Sequence, residues 1–541
     1  MIQSIYKPDQ LVFLILFVFL LFVWKKNKYE KWFVLFVCSA FSLYIFGPNF
    51  KAKFWLIDDH EIFYFLSSKL DQRSWSDFFY ILFNQTEVGE FGVNSRFRPS
   101  YYVLRLIETF LWKDNSTLWY ISRFSILVSF LFSLTLLYRF FLSTPVALAW
   151  VFTSFSFIYW ADIFFRLGPG ETYIVLGFSI FTLSSFNWNK KLNSGLLVFV
   201  LQIVSVMIMI GSKENMILAA FLPILFYVFP ETESRRLSLL KILYTLPFLL
   251  SLTIVYAILS AISANPVDIN GNSIQFTSKV YKILNLLSSP LAFQPLILSL
   301  VALVLVFKGR RFLWFFRYRR NLFFLLVFLF ANILLNIVFY GGDLPQSNRY
   351  DFPTSIFSIL FFIIGFGFIL AQLFWMNRIK PRIPIGLISL VIASFGFSSL
   401  SINELQNSSR KNVKRTIALS QAIEEMRQES TQSTAVIYVR DYTDFEPADS
   451  FLRYSKYNNF PWKIFLVIDP IRYNSNFHDG LMDYLRNLSK TGDSKRGITS
   501  EIEMKSIRSL SCIVYHFGDL NSNQMKDYPF CTNQTYRKIS Y

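Results

Sequence analysis

Cysteine is scarce in this chain. Three Cys occur in 541 residues: Cys38 in an apolar segment, Cys512 and Cys531 in the polar C-terminal part. That pattern excludes a zinc or iron–sulfur framework built on thiolates. Charge is also sparse, at 16% of residues against 53% hydrophobic. A soluble domain cannot hide that much apolar surface, and the apolar runs are long enough to cross about 30 Å of hydrocarbon.

A cleavage site is missing from the N-terminal region. The apolar segment 10–24 has only Lys7 before it, and Lys25-Lys26 rather than small residues follow it. This pattern predicts a retained membrane span and not a cleaved signal.

Acidic residues are few as well. The chain has 35 Asp and Glu against 53 Lys and Arg, a net charge of +18. Much of the excess lies in short loops between apolar segments, which the preference of Lys and Arg for cytoplasmic loops explains. We therefore expect membrane lipid as a partner and no nucleic acid.

The fold class that follows is a polytopic α-helical membrane protein with about twelve spans. Basic loops (25–28, 190–191, 235–236, 308–320, 378–382) alternate along the chain with loops that carry carboxylates (58–61, 96–98, 166–171, 213–214, 343–351). Basic loops in the cytoplasm leave the carboxylate loops and both termini outside. The predicted spans are 10–24, 32–48, 118–142, 144–162, 171–187, 193–211, 215–229, 241–262, 283–307, 321–340, 352–375 and 383–400.

Two domains are predicted. Residues 1–400 form the transmembrane domain, whose first large outer loop (49–117) holds amphipathic stretches at 54–70, 75–83 and 99–112, expected to lie on the membrane with their aromatic faces down. Residues 401–541 form an extracytoplasmic α/β domain, with a helix around 403–427 and strands at 435–439, 463–468 and 512–516. In an oxidising compartment Cys512 and Cys531 are expected to form a disulfide, although two buried thiols are an alternative.

The densest acidic motif is Asp58-Asp59-His60-Glu61, just past the second span. Carboxylates beside a bilayer are costly unless they are solvated, paired or bound to a cation. An acidic helix start, favoured by the helix dipole, is the structural alternative.

Four further outer loops carry charge close to the predicted membrane surface. Arg presents a fork suited to phosphate, and a Lys–Glu corner between two apolar runs is expected to face a cavity. Interface anchoring, a structural turn and local ion pairs are the alternatives. Together the loops supply a general base and a phosphate clamp, which sugar transfer from a lipid phosphate requires. The candidate residues are Arg96, Arg98, Arg166, Glu171, Lys213, Glu214, Arg349 and Tyr350.

These motifs resemble the GT-C superfamily of integral-membrane glycosyltransferases, and within it the protein mannosyltransferase and aminoarabinose transferase branch. The resemblance covers about residues 32–400 and is carried by Asp58-Asp59, the Arg166–Glu171 turn, Ser212-Lys213-Glu214 and Arg349-Tyr350. The first span is an addition to the family pattern, and His60 beside the acidic pair leaves a divalent cation open as a cofactor.

The resemblance implies an inverting enzyme on the outer face of the cytoplasmic (inner) membrane. Asp58 takes the first position of the family's acidic pair and activates the acceptor hydroxyl, and Asp59 takes the second. Glu61 and the loop residues named above would bind substrate. The implied partners are a polyprenyl-phosphate sugar donor and a cell-envelope glycan, lipid or protein acceptor. An O-antigen-type polymerase or ligase, and a lipid-linked sugar transporter or flippase, are the alternatives.

Overall fold

The computed structural model is predominantly helical, and a small parallel sheet lies near its C-terminus. The residues that it describes are 30–56, 59–67, 98–139, 144–155, 157–185, 195–222, 249, 252–257, 320–339, 348–360, 363, 399–429, 434–439, 444–458, 464–468, 510–517, 520 and 531–539.

Two helices in the described part of the chain are long and apolar enough to cross a membrane. The first is α1 (Glu30–Phe46), which a 3-10 turn (Gly47–Lys51) extends, and the second is α4 (Ser116–Arg139). They pack against each other, and Arg139 pairs with Glu30 at 2.7 Å at one end. Both coincide with predicted spans, 32–48 and 118–142.

Further apolar helices pack around this pair. The helices that contain Gly177 and Ser205 approach each other closely, since a Cβ on Gly177 would lie 2.7 Å from the carbonyl oxygen of Ser205. Predicted spans 171–187 and 321–340 are helical where they are described, and span 193–211 is helical from Gly195 to Ile210. These helices are α5 (Thr144–Ser154), α6 (Tyr159–Phe164), α7 (Glu171–Ser185), α8 (Gly195–Ile210) and α9 (Arg320–Phe339).

The prediction of one continuous span over 144–162 is wrong, because the helix ends at Ser154 and a new one begins at Tyr159. The indole of Trp160 donates to the carbonyl of Ser154 at 2.8 Å, and its ring stacks on Phe155 at 4.2 Å. The indole thus satisfies one carbonyl of the helix end, and the stacked ring packs beside it.

Other predicted spans are described only in part. Span 215–229 begins as a 3-10 helix (Glu214–Phe221), and 354–360 are helical within span 352–375. Spans 10–24 and 283–307, and most of 241–262 and 383–400, lie outside the described residues. The count of about twelve thus stays a prediction.

Two helices of the predicted first outer loop (49–117) are described. Helix α2 (His60–Ser67) begins later than the predicted stretch 54–70, because residues 52–56 are not helical. Helix α3 (Pro99–Trp112) has the predicted bounds, but its tyrosines Tyr101 and Tyr102 are buried against the protein and not turned outward. Aliphatic and phenyl side chains occupy its exposed face instead, so the expected aromatic-down orientation is wrong for the tyrosines.

The C-terminal part begins with the long helix α10 (Ser399–Glu429). A four-stranded parallel sheet follows in the order β2-β1-β3-β4, with α11 (Phe445–Tyr457) between β1 and β2. The three predicted strands are present, β4 was missed, and Cys512 and Cys531 form the predicted disulfide with Cα atoms 5.5 Å apart. The strands are β1 (Thr434–Val439), β2 (Ile464–Ile468), β3 (Leu510–His516) and β4 (Cys531–Lys538).

One hydrophobic core runs from the apolar helices into the C-terminal part. Helix α10 lies against α1 and the 3-10 turn that extends it, where Asn412 and Ser409 bond to Asn49 at 2.8 and 2.7 Å. Helix α11 lies against α2, where the ring centroids of Tyr454 and Phe63 are 3.7 Å apart and the two rings are tilted by 36°. The C-terminal part is therefore docked directly on the segment predicted to be the first outer loop.

Candidate functional site

A buried lysine lies where α8 ends. The chain leaves the helix through Gly211 and Ser212, and Lys213 is extended before the 3-10 helix begins. Its ammonium bonds to the carboxylate of Glu171, the first residue of α7, and both side chains are buried. Burial lowers the pKa of Lys213 below its ordinary value, although Glu171 opposes the shift.

The neighbouring carboxylate holds the start of α3. Arg98 donates to both oxygens of Glu214 at 3.0 and 3.2 Å, the paired geometry that guanidinium and carboxylate favour. Arg98 directly precedes Pro99, which opens the helix as the sequence predicted. The sequence had left local pairs open for these charges, yet the structure joins residues 116 and 42 positions apart, Arg98 to Glu214 and Glu171 to Lys213.

Close backbone approach makes this arrangement possible. The amide of Tyr101 donates to the carbonyl of Gly211 at 3.1 Å, and the Ser100 hydroxyl donates to Met207 at 2.7 Å. A Cβ on Gly211 would lie 2.1 Å from the Ser100 oxygen. Glycine at 211 therefore lets α3 begin directly on the end of α8.

The turn 349–351 reaches the same place. The Lys213 ammonium lies 4.9 Å from the ring centroid of Tyr350, and the Arg349 guanidinium lies 5.6 Å from that ring. Arg349 and Tyr350 belong to a short 3-10 turn that the Asn348 side chain caps. Four distant segments thus meet at one group, called the Lys213 cluster below: Arg98, Glu171, Lys213, Glu214, Arg349 and Tyr350.

Asp59 lies elsewhere, beneath the C-terminal part. Its carboxylate is fully buried and accepts from the backbone amide of Trp55 at 2.7 Å. It interacts electrostatically with Arg415 of α10 and Tyr454 of α11, and the Arg415 guanidinium lies 4.3 Å from the Trp55 ring. Burial, with the Asp59 charge second, raises the pKa of Tyr454 well above its ordinary value.

The turn before α7 spans both regions. Arg166 pairs with Asp162 at 3.6 Å and interacts with Arg415, so it belongs to the Asp59 side. Five residues later, Glu171 belongs to the Lys213 cluster. The turn therefore connects the region around Asp59 with the Lys213 cluster. The same two regions are also joined through α2 and α3.

Glu61 faces the protein interior. The Tyr101 hydroxyl lies within hydrogen-bond distance of the Glu61 carboxylate and, at 2.8 Å, of the Gly168 carbonyl. Because a phenol carries one proton, it donates to one of the two at a time. Glu61 thus ties α2 to α3 and, through Tyr101, to the turn.

A buried charge network lies behind these residues, and sequence reasoning missed it. Arg123 donates to both oxygens of Glu108 at 2.8 Å, and Tyr173 donates to the same carboxylate. Arg105 and Arg123 both donate to the carbonyl of Leu167, and neither guanidinium is exposed. The one available signal was Arg123, a charge inside the predicted span 118–142, because such charges are rare without a partner or a function.

Some predicted residues are not placed. Asp58 and Arg96 lie outside the described residues, as does the side chain of His60. Within the described ranges, no group of three His, Cys, Asp or Glu side chains could hold a metal ion. The roles of all the predicted site residues stay predictions.

Comparison with known proteins gives a structural similarity but no match in sequence. No protein-family model and no curated protein sequence matches the chain. Among solved structures, it is similar to an oligosaccharyltransferase from Archaeoglobus fulgidus, tethered to an acceptor peptide, at 12% identity and a TM-score of 0.39. The alignment covers 82% of this chain and 64% of that protein. The chain thus spans less than two thirds of the length of the protein it matches.

Proposed function

We propose that this chain is a membrane-embedded glycosyltransferase of the GT-C type that moves a sugar from a polyprenyl-phosphate donor to an acceptor on the outer face of the membrane. The observation that supports the proposal is the Lys213 cluster. Three cationic side chains from three outer loops predicted to bind donor phosphate lie together, beside two carboxylates and a tyrosine.

The cluster suits a lipid-borne phosphate for physical reasons. Arg98 and Lys213 are already held in place by carboxylates, so little side-chain freedom is lost when an anion binds. Guanidinium and ammonium donors aimed at a leaving phosphate stabilise the charge that develops as the bond to the sugar breaks. Arg349, partly exposed beside Tyr350, would contact the phosphate from the late loop.

The proposed reaction uses the acidic pair as follows. Asp58 removes the proton of the acceptor hydroxyl, whose oxygen attacks the anomeric carbon. The bond between that carbon and the phosphate oxygen breaks with inversion, and polyprenyl phosphate leaves. Asp59, held by the Trp55 amide, positions the acceptor or a divalent cation.

The test is transfer by the purified protein. It is incubated with radiolabelled polyprenyl-phosphate sugars and membrane extract, and the labelled acceptor is identified. Asp58→Asn should remove detectable turnover, because a general base contributes about 10²–10⁴-fold. Glu424→Gln, an exposed carboxylate on α10, is the matched control and should leave turnover unchanged. Normal turnover in Asp58→Asn rejects Asp58 as the base.

Donor binding is measured separately on alanine variants of Arg96, Arg98, Arg166, Lys213 and Arg349. Loss of a true phosphate contact weakens donor affinity by about 1.5–3 kcal/mol, the range for a charged hydrogen bond. Unchanged affinity in all five variants contradicts the clamp. Transfer only from diphosphate-linked donors would favour the polymerase or ligase alternative, and lipid-sugar movement across vesicles without transfer would favour the transporter.

A further inference from the structure

One buried amide joins the two chain segments that form most of the Lys213 cluster. Asn336 lies inside α9, and its side-chain oxygen accepts from the side chain of Asn215 at 2.6 Å. Its side-chain nitrogen lies 2.6 Å from the Thr354 hydroxyl and 3.3 Å from the Tyr350 carbonyl. A single side chain on α9 therefore bonds to two segments that are far apart in the sequence, one at Asn215 and one at 350–354.

The partners of Asn336 are neighbours of the candidate site. Asn215 follows Lys213 and Glu214 directly, and Tyr350 presents its ring to the Lys213 ammonium. The Tyr350 backbone is held on one side by Asn348, whose side chain accepts from its amide at 2.9 Å, and on the other by Asn336. These bonds fix the turn that carries Arg349 relative to the corner that carries Lys213.

The same helix contains a natural comparison. Asn332 lies one turn earlier on α9 and is buried to the same degree. Its side-chain nitrogen donates to the Phe328 carbonyl of its own helix at 2.9 Å. The two asparagines therefore lie in the same helix and are equally buried. The described bond of Asn332 stays within that helix, whereas the described bonds of Asn336 reach other segments of the chain.

We propose that Asn336 is a positioning residue, which sets the distance between the Tyr350–Arg349 turn and Lys213 and thereby shapes the phosphate end of the site. The consequence for transfer rests on the proposed function, whereas the effect on geometry does not. Leucine at 336 keeps the branching at Cγ and the number of side-chain heavy atoms but removes all three bonds, so the turn loses its tie to the corner.

The first experiment measures geometry alone. Lys213→Cys and Tyr350→Cys are combined with Cys38→Ser, which removes the buried free thiol, and are joined by a short bifunctional methanethiosulfonate. Adding Asn336→Leu should lower the cross-linking yield several-fold, and adding Asn332→Leu should leave it unchanged. Equal yields with and without Asn336→Leu, or equal loss in both leucine variants, overturn the proposal.

The second experiment is a double-mutant cycle on transfer. In the native-cysteine protein, Asn336→Leu should raise the donor KM about 10- to 100-fold, the scale of a misplaced contact group, with a smaller change in kcat. Combined with Arg349→Ala, it should add little, because both changes remove the same contact. Effects that multiply in full overturn the positioning role. If the wild-type protein transfers no sugar, the proposed function fails, and the cross-linking result still decides the geometry.

Discussion

At Glu108, two guanidinium groups and a phenol converge on one buried carboxylate. Arg123 binds it through both nitrogens, Tyr173 donates to it, and Arg105 lies 3.9 Å away. Removing one member of a buried charge pair costs more than the pair contributes, because the other charge stays buried without compensation. The carboxylate therefore balances two buried cations that also hold the turn before α7 by the Leu167 carbonyl.

Glu108→Gln should lower the free energy of unfolding by about 3–5 kcal/mol, since two buried guanidiniums lose their counter-charge. Thermal unfolding in detergent measures the change. Glu30→Gln is the matched control: its pair with Arg139 is partly exposed, so its loss should cost about 0–1 kcal/mol. Equal melting temperatures for the two variants would contradict the argument.

At the scale of elements, the start of α3 depends on one missing side chain. Gly211→Ala places a methyl group 2.1 Å from the Ser100 hydroxyl and 2.9 Å from its amide nitrogen, so α3 must shift away from α8. Overpacking of this kind costs about 1–3 kcal/mol. The shift should also separate Arg98 from Glu214.

The measurement for Gly211→Ala is the melting temperature together with donor affinity, and both should fall. Gly47→Ala, whose new methyl would meet only Leu43 at 3.4 Å, should change neither. Ser100→Gly in the Gly211→Ala background should restore part of the loss, because the closest contact is then gone. If Gly211→Ala left both the melting temperature and the donor affinity unchanged, α3 and α8 would be able to separate without cost, and the argument would be wrong.

Helix α3 also presents an apolar face outward. Ile107, Phe110 and Leu111 are 43%, 60% and 59% exposed, whereas Lys113 beyond the helix end is polar and exposed. An interfacial helix buries such a face at the headgroup boundary. Nitroxide labels at Phe110→Cys and Lys113→Cys, in Cys38→Ser protein in liposomes, test this. The label at 110 should collide mainly with oxygen and the label at 113 mainly with a water-soluble nickel complex; the reverse order would refute lipid contact.

The sequence predicted a helix or strand well only where that element carries a clear hydrophobic pattern. Strongly apolar runs such as Ser116–Arg139 predicted helices well, and buried strands such as Thr434–Val439 were equally visible. Strand β4 (Cys531–Lys538) is polar and lies at the sheet edge, so it carries no hydrophobic alternation to detect. The helix break after Ser154 is accompanied by stacking of Trp160 on Phe155, and no sequence pattern predicts that contact.

The residues of the Lys213 cluster could be named from the sequence, but their pairs could not. The sequence named Lys213, Glu214 and Glu171 from loops predicted to lie outside, yet side-chain partners are set by how distant segments pack. Arg105 and Glu108 were hidden in a stretch interpreted as a surface helix, because spacing alone does not show which face is buried. Asn336 carried no signal, since an isolated asparagine in an apolar helix predicts nothing about its partners.

At the scale of the whole molecule, α10 attaches the C-terminal part to the apolar helices. Asn412 donates to the side-chain oxygen of Asn49 and to the Tyr120 hydroxyl, at 2.8 and 3.3 Å. Arg415 and Tyr454 reach Asp59 from the same attachment. The same attachment therefore docks the C-terminal part and forms the surroundings of Asp59.

Asn412→Leu should weaken this docking while the sheet and its disulfide remain folded. Limited trypsin digestion should then cut α10 faster at its Lys and Arg residues and release a fragment that still contains the Cys512–Cys531 bond. Glu425→Gln changes an exposed charge near the end of α10, whose pair with Arg537 is weak, and should not alter the digestion rate. Equal digestion of both variants and the wild type would argue against the attachment.

The Asn49–Asn412 bond also has a consequence for synthesis. The two residues are 363 positions apart, and both side-chain polar atoms of Asn49 bond to α10. At 5–20 residues per second, roughly 20–70 s separate the translation of Asn49 from that of its partner. During that interval the first helices lack their final packing against α10, so a truncated or stalled chain should be a substrate for quality-control proteases.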